Sequence, residues 1–173
     1  MAKTYEPIAS QNITSDTALV TFSSIPATFD DLVLIYSTTE ASPTHRGMQM
    51  QLNQDTGTNY SGTVFGSNVA NGSTVVSGRY SNNSTALPGR YQDIDGRQIG
   101  IMHFMSYSNT NVFKTVLNSC MNLEDPTNNN KGVWREVMLW RSTSAVNRID
   151  LIAPSSTRFS NLSTFSLYGI KAA

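Results

Sequence analysis

The chain has 173 residues, enough for one sandwich or barrel that buries a core without staples, and its 12 Lys+Arg balance 12 Asp+Glu. Charged residues make up only 14%, against about 25% in typical soluble domains, and Ser, Thr and Asn fill roughly a third of the chain. This balance argues against direct nucleic-acid binding, and Cys120 as the lone cysteine rules out an internal disulfide. With no 18-residue apolar run and no apolar signal core at the start, the expectation is a protein that stays in the cytoplasm where it is made and enters no membrane.

Taken in chain order, a short strand is expected near residues 4 to 9, where Pro7 argues for a sheet edge because it cannot donate to a ladder. Residues 1 to 12 could serve as an arm that adds to a neighbour's sheet edge, with Tyr5, Pro7 and Ile8 as interface residues. A strand over 17 to 23 points Val20 and Phe22 inward, and the more continuously apolar 31 to 38 reads as a central strand covered on both faces. Met48, Met50 and Leu52 alternate with Gln49 and Gln51 as a half-buried strand does.

Asn53, Asp55, Gly57 and Asn59 then follow at spacing two, a pattern worth testing as a Ca²⁺ loop. An EF-hand adds a Glu at its twelfth position and flanking helices, and neither is here, so neither a metal nor a cofactor is expected. After a strand at 60 to 65, the segment from Gly66 to Gly96 is mostly small and polar and reads as one long loop, anchored by Val75, Val76, Tyr80, Leu87 and Tyr91. Strands follow at 98 to 107, 112 to 122, 132 to 141, 147 to 153 and 163 to 170, with a hairpin connection from Asp125 to Gly132.

Within 132 to 141, Trp134 and Trp140 share parity with Glu136 and Met138, opposite Val133, Arg135, Val137 and Leu139. Burial between sheets is one reading of these tryptophans; an aromatic platform for a sugar ring or a protein interface is the other. Helix periodicity is nearly absent, so the fold class is all-β: one domain over 1 to 173, an antiparallel β-sandwich, jelly-roll-like, with about nine strands.

No catalytic constellation stands out, and the chain reads as a non-enzyme. His45 lies in a Pro/Thr-rich loop, and His103 shares the parity of Ile99, Ile101, Met105 and Tyr107 as a packed or hydrogen-bonded sheet residue would. The acid pairs Asp30 with Asp31, Asp93 with Asp95, and Glu124 with Asp125 sit at turns, where Asp is favoured for local hydrogen bonds.

Several stretches together resemble a domain that recurs in tailed-bacteriophage virion proteins: Tyr5-Glu6-Pro7-Ile8-Ala9-Ser10-Gln11, Val20-Thr21-Phe22-Ser23-Ser24-Ile25-Pro26 with Phe29-Asp30-Asp31-Leu32-Val33-Leu34, and Leu52-Asn53-Gln54-Asp55-Thr56-Gly57-Thr58-Asn59-Tyr60-Ser61. The likeness returns in Phe113-Lys114-Thr115 and closes with Arg148-Ile149-Asp150-Leu151 and Ser163-Thr164-Phe165-Ser166-Leu167-Tyr168-Gly169-Ile170, whereas residues 66 to 96 and 123 to 131 depart from the pattern.

The resemblance implies a β-sandwich used in virion assembly. A single globular unit without coiled-coil heptads suits a cement or decoration protein on the capsid exterior, with the major capsid protein as partner and a homotrimer as the favoured oligomer. The alternative it implies is a carbohydrate-binding module of a tail or head fibre, which would use Trp134, Trp140 or the loop tyrosines Tyr80 and Tyr91.

Overall fold

The computed structural model describes residues 5–39, 47–68, 74–88, 97–122, 132–153 and 158–171. Among these every regular element is a strand: β1 (Tyr5–Asn12), β2 (Leu19–Phe22), β3 (Asp31–Thr39), β4 (Gln49–Leu52), β5 (Tyr60–Asn68), β6 (Thr74–Asn83), β7 (Arg97–Met105), β8 (Lys114–Asn122), β9 (Gly132–Trp140), β10 (Ile149–Ile152) and β11 (Thr164–Ile170). They form an eight-stranded sheet in the order β1-β11-β3-β7-β8-β9-β5-β6 and a three-stranded sheet in the order β2-β10-β4, consistent with a β-sandwich. The pairings within both sheets are antiparallel.

Alternation explains the layering. In β3, Leu32, Leu34 and Tyr36 point inward and are almost fully buried, and in β4 and β2 Met50, Leu52, Val20 and Phe22 meet them in one continuous core. Strand β3 is internal to the large sheet, between β11 and β7, but it is not covered on both faces along its length: its outward Val33 is 6% exposed, whereas its outward Ile35 is 42% exposed. Strand β1 lies at one edge and its register shifts between Pro7 and Ala9, so the residue that cannot donate sits where the ladder is already interrupted.

The inner face of the large sheet is built on glycine–aromatic pairs. Gly100 faces Tyr36, Gly62 faces Tyr80 and Gly66 faces Trp134 across neighbouring strands. A Cβ added to Gly100, Gly62 or Gly66 would fall 2.3, 2.6 or 2.2 Å from the opposing side chain. The rings therefore lie flat across the strands where a side chain would otherwise stand.

Three expectations need correction. The segment 66 to 96 is not one loop, because β5 runs on to Asn68 and β6 spans Thr74–Asn83, pairing with β5 despite its Gly, Ser and Asn content. With β6 the strands number eleven among the described residues, not about nine. Residues 5 to 12 do not stand free as an arm: they pair with β11, and Ile8 packs against the core.

Candidate functional site

Trp134 and Trp140 do not form a platform. Both are buried, at 2% and 3% exposure, because the strand face they share with Met138 is the one turned to the core. Trp134 covers Gly66; Trp140 stacks on Tyr60 with centroids 6.4 Å apart and donates its indole N–H to Asp55 Oδ2 at 2.6 Å. Tyr80 lies half-buried over Gly62 and its hydroxyl accepts from the Leu87 N–H at 3.1 Å. Tyr91 falls outside the described residues. Of the other interface residues read from sequence, Tyr5 and Pro7 are exposed on β1 and Ile8 is partly buried.

The 53 to 59 segment is held by hydrogen-bond donors that meet its side-chain oxygens. Asn53 and Gln54 both take positive φ, closing a tight turn in which the Asp55 N–H bonds to Leu52 O at 3.0 Å. The Asp55 carboxylate accepts from the Gly57 N–H, the Asn59 amide and Trp140. Asn53 Oδ1 accepts from the Asn147 and Arg148 N–H groups. These oxygens face N–H groups, and among the described residues no three His, Cys, Asp or Glu side chains are grouped as metal ligands are. Burial raises the Asp55 carboxyl, but the bonds from Trp140, Asn59 and Gly57 outweigh it and hold the group below its ordinary value.

His103 is a hydrogen-bonded sheet residue, as its parity suggests. Its Nε2 lies 2.9 Å from Asp31 Oδ2, whose other oxygen accepts from the Ser106 N–H, and the ring stands directly between Val33 and Leu117 on the adjoining strands.

The feature that sequence reasoning missed is the outer face of the large sheet. Inward side chains of β7, β8 and β9 make the core, yet the outward ones are also apolar: Ile99, Ile101 and Met105 on β7, Leu117 and Met121 on β8, Val133 and Val137 on β9. Ile35 on β3, Phe65 on β5 and Val75 on β6 extend the patch to both sides. Cross-strand register sets these in rows. One runs Val33, His103, Leu117, Val137, Thr63, Arg79, the next Ile35, Ile101, Ser119, Arg135, Phe65, Ser77, and the third Ser37, Ile99, Met121, Val133, Ser67, Val75.

Ser119 is a small residue near the centre of the middle row, flanked by the larger Ile101 and Arg135. The result is a shallow concavity of about 430 Å³ walled by Phe65, Ile101, Leu117, Arg135 and Val137, with Thr63 and His103 at its margin. The signal was present in the sequence as apolar residues at both parities of β7, β8 and β9.

Comparison with known proteins adds no identity: no protein-family model and no curated protein matches the chain. A crystal structure of a protein of unknown function from Shewanella oneidensis MR-1 aligns at 12% identity over 100% of this chain and 82% of the other, with a TM-score of 0.21. That likeness is too weak to carry an argument.

Proposed function

We propose that this chain is a structural protein of a tailed-bacteriophage virion, a cement or decoration protein that binds the outer capsid shell and reinforces it. The observation that carries the reading is the outer face of the large sheet, whose ten apolar side chains on six adjacent strands remain between 36% and 66% exposed. An apolar surface of this breadth on a folded domain costs solubility unless another protein covers it. The sequence resemblance supplies the class of assembly.

The glycan-binding alternative loses its main support, since the tryptophans that would stack on a sugar ring are in the core. A trimer set on threefold or quasi-threefold positions would gain avidity by matching the shell's repeat. A protein that binds only the assembled shell stabilises it by mass action. The test compares thermal genome release from particles with and without the protein while imaging where density is lost. Earlier release with density missing from the shell is expected; unchanged release with density missing from the tail would overturn the reading.

A further inference from the structure

We infer that the outer face of the eight-stranded sheet docks a different protein, not a second copy of this chain, taking a projecting apolar side chain into the dimple over Ser119 and a carboxylate onto Arg135. The inference rests on the proposed function for the identity of the assembly, but its chemistry comes from the face alone.

Size is the first argument. The exposed apolar side chains together offer on the order of 800 Å², the share one partner contributes to a standard specific interface and more than most monomers leave uncovered. The shape is the second. A flat sheet face has no preferred seat, whereas this one carries a depression of about 430 Å³ floored by Ser119 between Ile101 and Arg135, of a kind that holds an anchoring side chain.

Charge decides the occupant. Arg79, Arg97 and Arg135 are exposed and project from this face; Asp31, on β3, is engaged by His103 and the Ser106 N–H, and Glu136, which also borders the dimple, is buried and accepts from the Asn118 amide. No ion pair engages the three arginines among the described residues. Among the described residues, this face thus sets three guanidinium groups around an apolar centre. Two copies packed face to face would bury Arg135 against a surface equally cationic, leaving desolvated guanidinium groups without counter-charges. A partner with carboxylates among its apolar side chains satisfies both features, through charge-assisted hydrogen bonds that Arg forms in a planar fork.

Two substitutions separate the outcomes: Ser119→Trp fills the dimple, and Arg135→Glu reverses the charge. Neither residue is in the core, and circular dichroism with thermal unfolding verifies that each variant is folded. The first probe is 8-anilinonaphthalene-1-sulfonate, an apolar anion that mimics the expected pair of contacts. Each variant is expected to weaken its binding about tenfold or more relative to the wild type; equal binding would overturn the inference. Sedimentation is the second measurement, and a wild-type dimer dissolved by Ser119→Trp would overturn it in favour of self-association. The third uses emptied capsids lacking the protein. Loss of binding by both folded variants supports the inference, and binding equal to wild type would overturn it while leaving the virion assignment intact. If the wild type itself ignores the capsids while the dye result holds, the virion assignment fails and the chemistry of the face is supported.

Discussion

The ring of Tyr36 lies across Gly100 on the next strand, and its hydroxyl donates to Asn118 Oδ1 one strand further on at 3.2 Å. Asn118 in turn donates from Nδ2 to Glu136 Oε2 at 2.8 Å, so one directional chain links β3, β8 and β9 behind the exposed face. Gly100→Ala places a methyl 2.3 Å from the Tyr36 ring, which must move. The expected cost is about 2–3 kcal/mol, the upper range for overpacking a tight core, while Tyr36→Phe costs about 1 kcal/mol by leaving a buried acceptor short of a donor. Urea unfolding measures both, and a Gly100→Ala variant as stable as wild type would contradict the packing described.

Lys114 is buried at 1% exposure, with its ammonium donating to three backbone carbonyls, those of Asn109, Val112 and Thr143, at 2.6, 2.8 and 3.1 Å. It ties the β7–β8 connection to the segment after β9. Lys114→Met keeps the stem but strands the three carbonyls, and the expected destabilisation is about 2–4 kcal/mol. Amide hydrogen exchange should quicken first around residues 109 to 112 and 143.

Acid sensitivity should centre on Asp55. Its folded value is held below that of the unfolded chain, so its stabilisation is complete above the unfolded value of about 4 and disappears as pH falls through the lower folded value. Asp55→Asn should flatten the loss of stability as pH falls below about 4 and, by weakening the hydrogen bonds from Trp140 and Gly57, remove about 1 kcal/mol at neutral pH. Trp140 fluorescence during urea unfolding at several pH values measures the change, because its indole N–H bonds to this carboxylate.

Alkaline sensitivity should be steeper. Burial, with help from the Glu136 charge, pushes both the Cys120 thiol and the Tyr80 hydroxyl up to about 12, and burial also raises Tyr36, Tyr60 and Tyr107. A raised folded value means stability is complete below the unfolded values, about 9 for the thiol and 10 for the phenols, and is lost as pH rises from there through the folded values. Each group then contributes a slope of about 1.4 kcal/mol per pH unit. Lys114, lowered by burial, works in the opposite direction, but it is one group against five. Stability should therefore fall steadily above about pH 10, and Tyr80→Phe should reduce the slope.

Strand identity was legible because period two is a local property. The alternation of Met48, Met50 and Leu52 with glutamines, and the continuous run in β3, define strands without reference to any partner. Pro7 likewise announces an edge, since a missing N–H is tolerated only where no neighbour needs it.

Strand β6 was illegible for the complementary reason. Its Gly78, Ser77 and Asn82 have low intrinsic preference for a strand, and it forms because β5 offers a ladder and because Tyr80 finds Gly62 to lie on. Nor could alternation alone say which side of β9 is the core. Trp134, Met138 and Trp140 alternate with Val133, Val137 and Leu139, so both parities are apolar, and only the layer packed against the strand decides between them. The three-stranded sheet and the glycines of β5 accept the tryptophan side, leaving the valines and Arg135 facing outward. The sequence by itself determined an all-β chain with two-sided strands. Tertiary structure alone decided which side stayed exposed, because burial depends on residues distant in the chain and period two is blind to them.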